Sequence, residues 1–207
     1  MILDCPKRPT FVGNKRAFFL WVAVLALVLL VLLHESLLGG KGLVPANGVF
    51  SFPPWRETQG SSNWLLEDQY CVFAPQREFG YQQFLQGHFP LWNPYLNCGV
   101  PNLASLQGAL LFPINLLLLP LDPFYTAGPA AFLKLMLAGW FTMLYLRGLG
   151  ASNSGAFLSG LVFSLNGFMI VWLGHPHVNS AMWLPLLLYL IDQAFRHGWS
   201  EIGRAHV

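Results

Sequence analysis

The sequence predicts an all-α integral membrane protein, with about four transmembrane helices and a large outer loop carrying interfacial or re-entrant helices. Three observations predict it. Of 207 residues, 55% are hydrophobic and only 10% charged, where soluble domains carry about 25% charged residues. Mean hydropathy is +0.50. Long apolar runs recur along the chain, and basic residues gather on one side of them, which fixes an orientation as well as a class. The net charge is +2, and no basic stripe interleaved with stacking aromatics is present, so nucleic acid is excluded as a partner.

The first transmembrane helix is expected over residues 17–38. Ala17 to Leu33 is an unbroken apolar run that extends to Leu38 past His34 and Glu35. At 1.5 Å per residue this reaches roughly 26–33 Å, the thickness of a bilayer core. Lys7, Arg8, Lys15 and Arg16 precede it, which places residues 1–16 in the cytoplasm. A basic start before an apolar run also fits a cleaved signal peptide. This run is long for one, and no small-x-small cleavage site follows it closely.

Residues 39–123 read as an outer loop. Up to about Ser105 they are polar, aromatic and rich in proline and glycine. Irregular backbone of that kind cannot cross lipid, where each unpaired amide costs several kcal/mol. Tyr70, Phe73, Tyr81 and Phe84 recur at helical offsets, so 69–86 is expected to form an amphipathic helix on the bilayer surface. Leu106 to Leu121 is apolar but short, and Pro113 and Pro120 interrupt it. It is expected to be interfacial or re-entrant.

Three further helices are expected within 124–196. They run from Phe124 to Leu146, ending at Arg147; from Ala156 to Leu173; and from Val178 to Phe195, ending at Arg196 and His197. The basic residues at 7, 8, 15, 16, 147 and 196 then share one side. The outer loop balances Lys41, Arg56 and Arg77 against Glu57, Glu67, Asp68 and Glu78. Lys134 falls inside a span, where a lysine costs about 2.5–3.5 kcal/mol unless it faces other helices or water. It is either a structural lysine or a functional cation. Cys5, Cys71 and Cys98 form no CxxC pair or metal-ligand cluster, and Cys71 and Cys98 are either ordinary thiols or a disulfide in an oxidising compartment.

The last residues, EIGRAHV (201–207), neither continue the preceding helix nor have an amphipathic period of their own. The codons ATC GGA AGA GCA CAC GTC, a common sequencing-adapter read, encode IGRAHV. The tail is expected to be an adapter artefact, with a genuine basic end as the other reading, and the chain to be an amino-terminal fragment of something longer.

Three stretches, EDQYCVFAPQREF, GHFPLWNPYLNCGVPNLASLQGALLFPINLLLLPL and FSLNGFMIVWLGHPHVNSAMWLPLLLYLI, carry a resemblance. Together they resemble the bacterial YfhO family of multispanning membrane proteins, over roughly residues 60 to 195. That family is similar to the GT-C glycosyltransferases, which take a sugar from a polyprenyl-phosphate carrier on the outer face of the cell membrane. The resemblance implies a partial GT-C-like fold in the bacterial cell membrane. The partners it implies are membrane lipids, a polyprenyl-phosphate-linked sugar and a cell-surface polymer or lipid acceptor.

The resemblance also implies roles for individual residues. Asp68, seven residues before Pro75, matches the family's outer-loop acid and would be the catalytic base, with Glu67 as its neighbour and substitute. Val72 stands where the family pattern has glutamine, so the local hydrogen bonding is not carried over. Without catalysis, the two acids would simply be a solvated pair at a helix start. From its place on the expected surface helix, Arg77 would meet a lipid phosphate, pair with Glu78 or snorkel. Gly87 and Pro90 would end the preceding helix. Asn93 before Pro94 and Gly99 before Pro101 would make fixed turns, with Trp92 and Tyr95 at headgroup depth. Trp92, Asn93 and Pro94 are then either a structural staple or substrate contacts. His175 and His177 in GHPH lie on the same side as Asp68 and could act near the phosphate. The cofactor is unknown; a divalent metal is one option, yet two histidines across a proline define no metal site without a third ligand. The functional expectation is a GT-C-like transferase, inactive as this fragment. The alternative is a non-catalytic lipid-linked substrate binding, transport or membrane-assembly protein.

Overall fold

The computed structural model describes residues 15–54, 56, 63–121 and 123–197. The cytoplasmic start, Cys5, Lys7, Arg8, Glu57 and the 201–207 tail lie outside the described residues. The described chain is mostly helical. In order it forms α1 (Lys15–Leu32), α2 (His34–Leu37), α3 (Ala74–Leu85), β1 (Trp92–Asn93), β2 (Val100–Pro101), α4 (Pro113–Leu117) and α5 (Pro123–Gly148). There follow α6 (Asn153–Ser164), α7 (Gly167–Val171), α8 (Pro176–Ala181) and α9 (Leu184–His197). Among the described residues two helices are long and apolar enough to cross a membrane, Lys15–Leu32 and Tyr125–Gly148.

The chain divides into two compact units. The first holds α1, α5 from Leu135 onward, α6, α7 to Ile170 and α9. Helix α1 contains neither glycine nor proline, so nothing interrupts its ladder. Its Leu25 and Leu29 are fully buried, and Trp21 lies on Phe157 of α6 with ring centroids 4.7 Å apart. Helices α5 and α6 cross at glycines: a Cβ on Gly160 would stand 2.7 Å from the Gly139 carbonyl oxygen. Such close backbone approach is the small-residue packing used where the surroundings give no hydrophobic drive. Ser152 caps α6, its hydroxyl accepting from the Gly155 N–H at 3.1 Å, a contact worth about 1 kcal/mol.

Two expected spans are interrupted. The segment 156–173 is helical only to Ser164, and α7 restarts at Gly167. Asn166 is the cause: its amide donates to the Phe163 carbonyl at 2.7 Å and accepts from the Met169 N–H at 2.9 Å. A side chain that satisfies backbone groups locally competes with the continuing helix. The segment 178–195 is divided between α8 and α9, with a turn at Met182 and Trp183. Pro185 in the first turn of α9 suits a helix start, where its missing N–H costs nothing.

The second unit holds residues 33–134 and 171–179. Before α3, residues Gln69–Phe73 form a π-turn, in which the Ala74 N–H donates to the Gln69 carbonyl five residues back. Pro75 has no N–H to close the preceding α-turn, and the wider spacing follows. The expected helix over 69–86 is therefore a π-turn leading into α3. It closes in a Schellman motif: Gly87, at φ +75°, donates to Phe84 and His88 donates to Gln83.

Residues 92–101 are a small hairpin, a pairing absent from the all-α expectation. Trp92 stands opposite Pro101 and Asn93 opposite Val100. Asn93 is buried, and its side-chain oxygen accepts from the Tyr95 N–H at 2.9 Å. Gly99 has φ +115°, and a Cβ there would meet the Trp92 ring at 2.6 Å. Both features demand glycine. Ser105 ties the following loop to α3 by donating to Gln76 Oε1 at 3.0 Å. Helix α4 is five residues long, far short of the roughly 20 a span needs.

Candidate functional site

The expected site residues lie in the second unit, and the π-turn sets their directions. Asp68 precedes that turn, is exposed and makes no side-chain cap hydrogen bond. A helix-capping role for this carboxylate is therefore not what the geometry shows. Glu67 beside it is half-buried. Gln69, the next residue, is turned inward and buried.

Gln69 links the turn to the GHPH segment. Its Nε2 lies 3.4 Å from His175 Nδ1, and a Cβ on Gly174 would stand 2.4 Å from Gln69 Oε1. Only a glycine lets the amide lie against the backbone there. His175 is fully buried, held edge-on by Phe73 at 5.0 Å and Trp172 at 4.7 Å. Its Nε2 is shielded and has no hydrogen-bond partner among the described residues. Burial pulls the His175 pKa below its ordinary value of 6.5; Asp68 opposes that shift and His177 adds to it. His177 is exposed, with its ring centroid 6.2 Å from that of His175. Among the described residues no group of three His, Cys, Asp or Glu side chains could hold a metal.

Two cations meet in a cleft of the same unit. Arg77 of α3 and Lys134 of α5 both line it, together with Gln69, Ala131, Leu173 and Gly174. The cleft is small, about 30 Å³, and partly open to solvent. Lys134 is buried; its Nζ donates to the Leu173 carbonyl at 3.4 Å and lies 5.9 Å from the centre of the Phe112 ring. Arg77 Nε is shielded and has no partner among the described residues, and burial lowers the guanidinium pKa from its ordinary value. Arg77 does not pair with Glu78, which instead accepts from Gln82 at 2.8 Å. Lys41 pairs with Glu35 and Arg196 with Asp192, whereas neither Arg77 nor Lys134 is bridged to a carboxylate among the described residues.

The structure thus brings Asp68, Gln69, Arg77, Lys134 and His175 into one unit. The hairpin residues Trp92, Asn93 and Pro94 line neither this cleft nor a second one beside it. Trp92 and Pro94 are exposed, while the Asn93 amide is engaged in its own turn. Cys71 and Cys98 are exposed free thiols. Gln69 and Gly174 are the participants that spacing does not single out, because their contact spans about a hundred residues of chain. No family model, curated protein or solved structure matches the chain.

Proposed function

We propose that this chain belongs to a bacterial, multi-pass membrane glycosyltransferase. It would move a sugar from a polyprenyl-phosphate carrier to a cell-surface polymer or lipid on the outer face. The observation that carries the reading is an exposed carboxylate, Asp68, that caps no helix, in the same compact unit as two basic side chains with no carboxylate partner among the described residues. The resemblance to the YfhO family and the charge bias of the loops support it. So does the surface of α1, where Phe19, Leu20, Leu27 and Val31 are exposed; contiguous apolar surface of this kind marks a membrane or partner contact. In this reading the four apolar segments cross the bilayer, two of them as broken helices, with the N-terminus inside and the loop 39–123 on the outer side.

The chemistry divides between two kinds of group. The Asp68 carboxylate takes the proton from the acceptor hydroxyl as its oxygen bonds to the anomeric carbon. The bond from that carbon to the carrier phosphate breaks, and its electron pair leaves with the phosphate, whose charge cationic groups stabilise. Asp68→Asn in the full-length protein should abolish transfer while leaving carrier binding in place. Unchanged transfer would remove Asp68 as the base. Wild-type protein that binds the carrier sugar without ever turning it over would leave a binding or transport protein as the correct reading.

A further inference from the structure

We propose that Arg77 and Lys134 form a built binding site for a phosphate-type oxyanion. The argument begins with what burial demands. A charged side chain withdrawn from water is retained only where something compensates it. Here the compensation within the described residues is slight. Lys134 has one long hydrogen bond to a carbonyl and a distant aromatic face. Arg77 is half-buried, and its Nε is shielded with nothing to donate to. Two basic side chains line one cleft, and an anion between them would offset their mutual repulsion.

The donor set matches a phosphate. Arginine offers a planar fork and lysine a point charge, and together they can engage several oxygens of one tetrahedral anion. Ala127, Ala130 and Ala131 line the same cleft, which is partly open to solvent. Arg77 also lines the neighbouring cleft, walled by Leu110, Leu118 and Leu119. A phosphate on an apolar chain could therefore place its head between the cations and its tail among the leucines. A free phosphate would use the first cleft alone. The site requires no transfer chemistry and stands whether or not Asp68 acts as a base.

The test is binding, read on the full chain in detergent by isothermal titration with farnesyl phosphate, farnesol and inorganic phosphate. Farnesyl phosphate should bind at least about tenfold more tightly than farnesol, and Arg77→Gln and Lys134→Met should each weaken it about tenfold, the loss of one charge-assisted contact. Lys134→Arg, which keeps the charge, should retain binding and so separate charge from folding. Inorganic phosphate binding with the same dependence on both residues would also uphold the oxyanion site and identify the free anion as sufficient. Equal binding of farnesol and farnesyl phosphate, or phosphate binding unaffected in both variants, would overturn it.

Discussion

Replacing Lys134 with methionine should make the ligand-free protein more stable. A lysine within an apolar span costs about 2.5–3.5 kcal/mol. Against this stands a hydrogen bond to the Leu173 carbonyl whose 3.4 Å length places it at the weak end of charge-assisted bonds, about 1.5 kcal/mol. The Phe112 ring at 5.9 Å is at the outer limit of cation–π attraction and adds about 0.5 kcal/mol. Methionine fills nearly the same volume without the charge and relieves the repulsion from Arg77. The net gain is about 1 kcal/mol, a rise of roughly 2–4 °C in Tm for a chain of this size. Thermal unfolding followed by far-UV circular dichroism, in detergent without phosphate, measures it. A fall in Tm of the same size would refute the reasoning, because it would mean that Lys134 is already paired with a stabilising counter-charge.

His175 makes stability depend on acidity. Its folded pKa is lowered, so the folded state resists the proton. Its contribution is whole above the ordinary 6.5 and is lost as pH falls through the lower folded value. Melting curves should weaken on that acid limb in the wild type and flatten there in His175→Gln. Gly160→Ala places a Cβ 2.7 Å from a backbone oxygen, which cannot move aside as a side chain could; a loss of about 1–3 kcal/mol is expected by denaturant titration. Gly99→Ala forces a left-handed backbone onto alanine and a methyl into the Trp92 ring. It should cost about 1 kcal/mol or more, and Trp92 fluorescence should shift as the hairpin loosens.

Much of the architecture is legible in the sequence because it rests on local chemistry. The apolar run from Ala17 and the one around Leu135 need only composition to become long helices. Gly87 ends α3 because a left-handed position favours glycine whatever surrounds it. The breaks at Asn166 and Trp183 are less visible, since a hydropathy window averages one asparagine into its neighbours, whereas the helix responds to the bonds that asparagine makes. The hairpin escapes for a different reason. Prolines, asparagines and glycine announce turns around residue 94, but pairing Trp92 with Pro101 depends on the indole covering Gly99. The site divides in the same way. Asp68 and Arg77 stand out as charges in an outer loop, and Lys134 as a charge in a span. That Arg77 and Lys134 line one cleft, and that Gln69 reaches His175, depends on contacts between residues far apart in the chain.

The central claim is that the unit carrying Asp68, Arg77 and His175 works on the outer face of the membrane. Cys71 and Cys98 are exposed natural reporters of its side, and Cys5, in the segment expected in the cytoplasm, serves as the comparison. Labelling intact cells with a membrane-impermeant maleimide tests the claim directly. Burial and the neighbouring Glu67 and Asp68 raise the Cys71 pKa, so the reaction belongs at mildly alkaline pH, where more thiolate is present. The account predicts that Cys71 and Cys98 label in intact cells and that Cys5 labels only after permeabilisation. Labelling of Cys5 alone in intact cells would contradict it and place the carboxylate and the cation pair in the cytoplasm.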